Sequence, residues 1–159
     1  MLAPTTADSL VLRLSVSTSL PPNFLVSSPD SLSVVIPSYN SSSLLKNCLQ
    51  ALELQTIPTS GFEVIVVNDG STDDTTKMLE EFHQQTSLQL RVLHQQRSGP
   101  GRARNAGVAL ARFNWIGLLD ADVQADSNWV ASALTWIHGQ PGAGAIEGRT
   151  IVGNREQIT

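Results

Sequence analysis

The stretch FEVIVVND, residues 62–69, followed by GSTDD at 70–74, decides the fold of this chain. Four consecutive β-branched residues at its centre are typical of a strand buried on both faces of a parallel sheet. Asp69 and Gly70 form a turn pair, and the next two aspartates, Asp73 and Asp74, complement the dipole of a helix that begins there. The stretch therefore predicts the strand–turn–helix unit of an α/β fold.

The same alternation extends in both directions. Upstream, residues 32–37 predict a buried strand ended by Pro37, and residues 41–56 predict a helix with a serine cap and an apolar face that includes Cys48 as a small core residue. Downstream, strands are predicted in 88–95, 114–123 and 145–153, and helices in 71–86, 99–113 and 127–139. This order predicts a mainly parallel sheet with helices on both faces.

Length and composition favour one globular domain. The chain has 159 residues, of which 41% are hydrophobic and 15% charged. We assign residues 32–159 to that domain and residues 1–31, rich in Ser, Thr, Pro and Leu, to an extended or loosely packed arm in which residues 8–16 predict a short edge strand. The net charge of −4 argues against nucleic acid as a partner. We expect no signal peptide, because the N-terminus lacks a basic n-region and a long apolar stretch.

Unusual polar motifs follow four of the predicted strands. They are PSYN at 37–40, NDGSTDD at 68–74, SGPGRARNAG at 98–107 and DAD at 120–122. Ligands of open α/β sheets bind beyond the carboxyl ends of the strands, so these motifs predict one binding site. Two of its candidate residues keep alternative interpretations. Asp69 either accepts hydrogen bonds from a nucleoside or only shapes the Asp-Gly turn, and Tyr39 either stacks on a base or caps the core.

A basic interval separates two acidic segments. No acidic residue lies between Glu81 and Asp120, and this interval holds five of the ten basic residues: Arg91, Arg97, Arg102, Arg104 and Arg112. It forms either a solvated basic face or an anion site. The glycine-rich loop supports the second interpretation, because free amides at a helix start and arginine side chains both attract phosphate. The loop matches neither the dinucleotide-binding nor the P-loop motif.

The DAD motif pairs two carboxylates. On a strand, Asp120 and Asp122 would project to the same side, where they repel each other unless a cation lies between them. Mg²⁺ and Mn²⁺ prefer such oxygen ligands and bind diphosphates as well. The motif therefore predicts a divalent metal site, with a solvated pair of loop side chains as the alternative.

Taken in order, VVIPSYN, VVNDGSTDDT, GPGRARNAG and LLDADV resemble the family 2 glycosyltransferases of the GT-A fold, over residues 32 to about 150. The resemblance implies a Rossmann-like donor domain that binds a nucleoside-diphosphate sugar with Mg²⁺ or Mn²⁺ and transfers the sugar with inversion. It assigns roles to six residues: Pro37 and Tyr39 in the nucleoside pocket, Asp69 at the base, Arg104 at the nucleotide, Asp120 against ribose and metal, and Asp122 on the metal. It also implies a glycan or lipid-linked acceptor, cell-envelope or polysaccharide biosynthesis, and a cytoplasmic location, at the inner membrane face as a peripheral protein.

The family's catalytic base lies well beyond DxD, and only 37 residues follow Asp122 here. Glu147 is the candidate base in that region, and we expect the chain to be a C-terminally truncated donor half. A nucleotide-sugar-binding remnant without transferase activity is therefore one alternative. A haloacid-dehalogenase-like phosphatase is another, because IGLLDADV fits its strand and D-x-D motif, although that motif normally opens the domain. A nucleotidyltransferase is disfavoured, because PSYNSSS lacks glycine.

Overall fold

The computed structural model describes residues 11–13, 31–139 and 145–146. In these ranges the strands are β1 (Val11–Arg13), β2 (Leu32–Ser38), β3 (Phe62–Asp69), β4 (Leu90–Gln95), β5 (Trp115–Leu118) and β6 (Ala145–Ile146). The helices are α1 (Ser42–Glu53), α2 (Thr75–Gln85), α3 (Pro100–Leu110) and α4 (Trp129–Gly139), with a 3₁₀ turn at Thr59–Gly61 before β3.

The strands form one sheet in the order β4-β3-β2-β5-β1-β6. The first four in that order are parallel to one another, and β1 is antiparallel to both β5 and β6. The predicted α/β class with a mainly parallel sheet is therefore confirmed. The predicted N-terminal strand exists, but it is not an edge strand, because β1 lies between β5 and β6. The boundary between residues 31 and 32 stays a prediction.

Helices cover both faces of the sheet, as the alternation predicted. On one face, Val34, Ile36, Val64 and Val66 pack in a large core with buried side chains of α1, α2 and α4, among them Cys48. The opposite face, built from Val35, Ile65, Val67 and Ile116, packs against α3. Successive residues of β2 and β3 thus alternate between two cores, which explains why these strands read as continuous apolar runs.

The strands predicted in 32–37 and 114–123 end at other residues than expected, and Pro37 is the reason in both cases. Leu119 donates its amide N–H to the Val35 carbonyl at 3.1 Å, so the backbone of Val35 faces β5, and Pro37, two residues on, faces β5 as well. Because proline has no N–H, the ladder to β5 stops there. β5 therefore ends at Leu118, before the DAD motif, whereas β2 stays paired with β3 as far as Ser38.

The start of α1 also differs from the prediction. Ser41 occupies the N-cap position, but its side chain makes no capping hydrogen bond and instead lies 2.8 Å from the Ser38 hydroxyl oxygen. The amide of Ser42 donates to Asp73 Oδ2 at 3.2 Å. A carboxylate from the loop after β3 thus satisfies a free N–H at the start of α1 and holds these two polar segments together.

Candidate functional site

A cleft of about 170 Å³ opens at the carboxyl ends of β2 and β3, against the start of α3 and the loop after β5. Five residues predicted for the site line it: Pro37, Tyr39, Asp69, Arg104 and Asp120. Its remaining walls include Arg97, Gly99, Pro100 and Ala103. The structure thus brings together side chains that lie as far as 83 positions apart in the sequence. Asp122 is outside the cleft lining, and Glu147 lies outside the described residues.

Asp69, the last residue of β3, holds the loop before α3. Its Oδ1 accepts hydrogen bonds from Gln95 Nε2 at 2.6 Å and from the Ser98 amide at 2.8 Å, while its Oδ2 accepts from the Gly99 amide at 2.8 Å. The backbone amides of Ser98 and Gly99 therefore already bind the chain's own carboxylate and are not free to bind phosphate. We call this set of three hydrogen bonds the Asp69 clamp.

The clamp sets the charge state of Asp69. Burial acts to raise the pKa of the carboxyl, but the hydrogen bonds from Gln95, Ser98 and Gly99 and the positive charge of Arg97 together hold the pKa below its ordinary value. Asp69 is thus an anion at neutral pH. A carboxylate has about four acceptor positions, so the clamp leaves one, on Oδ2, for a further donor.

The turn after Asp69 requires glycine. Gly70 has φ +74°, and a Cβ there would lie 2.7 Å from the backbone nitrogen of Arg97. The close approach of the two loops therefore depends on the missing side chain. Buried Asn68 supports the same turn, because its Oδ1 accepts a hydrogen bond from the Ser71 amide at 3.0 Å.

Asn40 joins the loop after β2 to the loop after β3, and the sequence analysis assigned it no role. It has φ +48°, in the left-handed region that asparagine tolerates, and its Oδ1 accepts from the Thr72 amide at 2.7 Å. Its own amide donates to Ser71 Oγ at 3.0 Å. The signal was present in the sequence, since asparagine is a frequent turn residue in the short loops that follow strands.

Tyr39 faces the cleft and not the core. Its side chain is 37% exposed, and the guanidinium of Arg97 lies over the ring, with Cζ 3.9 Å from the ring centre. Arg97 Nη1 also donates a hydrogen bond to the tyrosine hydroxyl at 2.9 Å. The interpretation of Tyr39 as a cap on the core is therefore wrong. Arg97 belongs to the cleft, although the sequence showed it only as one arginine among five.

The basic interval does not form one surface. Arg104 Nη2 pairs with Asp120 Oδ1 at 2.5 Å across the cleft. Arg102 is exposed and makes no ion pair with any residue that the structure describes. Of the five arginines in the interval, only Arg97 and Arg104 line the cleft, so the anion-site interpretation applies to these two alone.

Two other arginines of the interval lie at the opposite end of the sheet. Arg91 Nη1 is 3.5 Å and Arg112 Nε 3.9 Å from Oε2 of Glu63, a carboxylate with no exposed surface at the start of β3. The Arg112 amide and the Ser33 hydroxyl also donate to Glu63, at 2.6 Å and 2.7 Å. Glu63 precedes Asp69 by six strand positions, about 20 Å. These arginines therefore satisfy a buried carboxylate far from the cleft.

The DAD residues form a turn after β5, so the prediction that both aspartates project from one strand is wrong. The amide of Val123 donates to the Asp120 carbonyl at 3.1 Å, and both aspartate side chains are exposed. The buried thiol of Cys48 donates a hydrogen bond to the Asp120 carbonyl at 3.8 Å. Burial, followed by the charges of Asp122 and Asp120, raises the pKa of this thiol to about 12.

The two carboxylates provide the oxygen ligands that Mg²⁺ and Mn²⁺ prefer. Among the described residues, no group of three or more His, Cys, Asp or Glu side chains is arranged to hold a metal ion. Asp120 and Asp122 would therefore supply at most two side chains to such an ion.

Comparison with known sequences gives consistent matches. The sequence model described as Glycosyl transferase family 2 matches residues 33–156. A poly(ribitol-phosphate) β-N-acetylglucosaminyltransferase, TarS of Staphylococcus aureus, is 31% identical over 105 residues, which are 66% of this chain and 18% of TarS. A validoxylamine A glucosyltransferase of Streptomyces hygroscopicus is 38% identical over 105 residues, which are 65% of this chain and 24% of the enzyme.

Two solved structures share the fold. A crystal structure of TarS in complex with UDP-GlcNAc superposes with a TM-score of 0.65 and 31% identity, over 70% of this chain and 32% of that one. The mannosyltransferase PcManGT of Pyrobaculum calidifontis, in complex with GDP-Man and Mn²⁺, gives 0.62 and 26% identity, over 67% of this chain and 32% of that one. The chain thus spans less than a third of each relative named here. No helix in the described ranges is long and apolar enough to cross a membrane.

Proposed function

The chain belongs to glycosyl transferase family 2, and from this premise we propose that its cleft binds a nucleoside-diphosphate sugar and that the protein transfers the sugar to an acceptor. One observation carries the proposal. Five side chains suited to a nucleotide line a single cleft at the carboxyl edge of a parallel sheet, where ligands of such sheets bind. A haloacid-dehalogenase-like phosphatase is set aside, because the DAD motif follows a later strand of the domain and the chain belongs to another family.

The nucleoside occupies the part of the cleft lined by Pro37, Tyr39 and Asp69. Tyr39 offers an aromatic face for the base, and stacking of this kind tolerates any base. Asp69 offers the acceptor position on Oδ2 that its clamp leaves open, which suits an N–H of the base. A carboxylate held as an anion accepts such a hydrogen bond strongly.

The diphosphate lies toward Arg104, Asp120 and Asp122. Arg104 presents a planar guanidinium that matches phosphate oxygens. Asp120 contacts the ribose and, together with Asp122, holds a divalent metal. When bound, Mg²⁺ or Mn²⁺ supplies positive charge that stabilises the departing nucleoside diphosphate. Arg104 also pairs with Asp120 at 2.5 Å, which keeps the Asp120 side chain facing the cleft.

We extend the proposal to the acceptor side. It includes inversion at the anomeric carbon, a glycan or lipid-linked acceptor, a role in cell-envelope or polysaccharide biosynthesis, and a cytoplasmic location at the inner membrane face. The poly(ribitol-phosphate) in the name of TarS supports a polymer as the acceptor. Glu147 stays the candidate base.

The second candidate function is nucleotide-sugar binding without transfer. It is favoured because both acidic residues that line the cleft already have partners. Among the described lining residues these are Asp69, which is clamped, and Asp120, which pairs with Arg104, so neither is placed to take a proton from an acceptor. Release of nucleoside diphosphate from UDP-GlcNAc or GDP-mannose in the presence of a glycan acceptor would contradict this candidate.

Nucleotide binding tests the donor site itself. Calorimetric titration of the 159-residue chain with UDP and with GDP, each with and without Mn²⁺, should show binding that Mn²⁺ strengthens. Asp122→Asn should weaken the Mn²⁺-dependent part by at least about tenfold, the loss that even an outer partner of a metal ligand can cause. The matched control is Asp74→Asn, because Asp74 is exposed, lies outside the cleft and makes no capping hydrogen bond. Equal Mn²⁺ dependence in Asp122→Asn and the parent chain would move the metal elsewhere.

A further inference from the structure

Arg97 covers one face of the Tyr39 ring in the cleft. Both residues line the cleft, and the guanidinium lies 3.9 Å from the ring centre, the separation of a stacked pair. The hydrogen bond to the tyrosine hydroxyl fixes the guanidinium at the rim of the same ring. A planar cation on an aromatic face has the shape and the spacing of a stacked nucleobase. A base that stacks on this face of Tyr39 must therefore displace the guanidinium.

The backbone of Arg97 is held where this competition is unavoidable. The next two residues, Ser98 and Gly99, are fixed by the Asp69 clamp, and the Arg97 amide nitrogen lies against Gly70. Loop movement therefore does not carry the side chain away. Rotation of the exposed Arg97 side chain uncovers this face of Tyr39, and that rotation costs the stacking contact and the hydrogen bond to the hydroxyl.

A displaced Arg97 needs a new partner in the cleft. The nearby carboxylates are already engaged: the clamp uses three acceptor positions of Asp69, a bound base takes the fourth, and Asp120 pairs with Arg104. A diphosphate brings the negative charge that the guanidinium lacks after it leaves the ring, and it enters the same cleft. An uncharged nucleoside brings a base to the ring and offers no such partner.

We propose that Arg97 is a specificity-determining residue. Its guanidinium leaves the Tyr39 ring and contacts the bound diphosphate, and the cleft therefore selects nucleoside diphosphates over nucleosides. The inference rests on the proposed function of the cleft and adds a residue and a selection rule to it. The Arg97 guanidinium competes with the base for the Tyr39 ring. The negative charge of the phosphates offsets the cost of moving the guanidinium off the ring.

The test compares charged and uncharged ligands on one variant. In Arg97→Ala, the dissociation constant of uridine, measured by NMR chemical-shift titration of the 159-residue chain, should fall about two- to fivefold, the equivalent of an exposed cation–π contact. The dissociation constant of UDP should rise about three- to tenfold, because a charge-assisted contact with phosphate is lost. The pair guanosine and GDP is measured in parallel, so that the result does not depend on the base.

Two further variants separate selection from general charge. Arg97→Lys keeps the charge but loses the planar stack, so uridine should bind more tightly than to the parent chain, while UDP binds more tightly than to Arg97→Ala. Arg102→Ala removes the same charge from the same region outside the cleft, and it should leave the ratio of the two dissociation constants unchanged. An unchanged or weakened affinity for both nucleosides in Arg97→Ala would overturn the inference and leave the proposed function intact. Failure of the parent chain to bind either diphosphate would overturn both.

Discussion

The Asp69 clamp is open to direct test by Asp69→Asn, which keeps the shape of the side chain and removes its charge. Asparagine supplies one carbonyl oxygen, which at best keeps the hydrogen bonds from Gln95 and Ser98. Its NH₂ group then faces the Gly99 amide, so an N–H points at an N–H where Oδ2 now accepts a bond of 2.8 Å. The substitution therefore breaks one hydrogen bond and weakens two.

The magnitude follows from these three bonds. A hydrogen bond to a charged group contributes about 1.5–3 kcal/mol and a neutral one about 0.5–1.5 kcal/mol. One charged bond is lost and two become neutral, while water reaches part of this loop because Ser98 is exposed. We therefore expect the free energy of unfolding to fall by about 2–4 kcal/mol. For a domain of this size that lowers Tm by about 4–16 °C.

Thermal unfolding followed by circular dichroism measures this loss, with Asp74→Asn as the control that should shift Tm little. The loss should also depend on pH. Because the folded-state pKa of Asp69 lies below the unfolded value of about 3.9, its contribution is fully present above that value and disappears as pH falls through the folded pKa. The stabilities of the parent chain and of Asp69→Asn should thus begin to converge as the pH falls below about 4. A Tm within about 1 °C of the parent at pH 7, less than 1 kcal/mol on this scale, would refute the reasoning.

Two further substitutions and one labelling experiment test the packing beneath the site. Gly107→Ala should destabilise the chain by about 1–3 kcal/mol in denaturant unfolding, because its Cβ would overlap Val35 and lie 3.1 Å from Val67 Cγ2. Gly101→Ala, in the same helix with nothing within 4 Å of its Cβ, should instead stabilise by about 0.5–1 kcal/mol; a loss in both variants would contradict the packing argument. Cys48, buried and with its pKa raised to about 12, should resist iodoacetamide at pH 8 and react fully in denaturant. Equal labelling rates in both conditions would place the thiol at the surface.

Local patterns in the sequence were sufficient for the elements and the edge of the sheet that carries the site. The β-branched runs around Val34 and Val64 specify buried strands, because only a parallel sheet covered on both faces makes both sides of a strand apolar. Alternation of strand and helix then predicts crossover connections between parallel strands, which place the carboxyl ends of β2, β3, β4 and β5 on one edge of the sheet. From this it followed that Tyr39, Asp69 and Asp120 would lie near one another.

The sequence did not determine what each polar side chain contacts. Five arginines in one interval looked alike, yet Arg91 and Arg112 compensate the buried charge of Glu63, and only Arg97 and Arg104 reach the cleft. Charge counts along a chain contain no information on distance, and electrostatic energy depends on distance and burial. The partners of a charge are therefore decided by tertiary structure.

The end of β5 was also decided by tertiary structure, although the presence of the strand was clear from the sequence. The sequence by itself determined that a strand precedes the DAD motif, since an apolar run led into it. It did not determine that the strand stops at Leu118, because this depends on Pro37 lying beside it and offering no N–H. A hydrogen-bond ladder needs donors on both strands, and which strands are neighbours is settled only when the chain has folded. Asp120 and Asp122, predicted to lie on one strand, therefore lie in an exposed turn at the cleft.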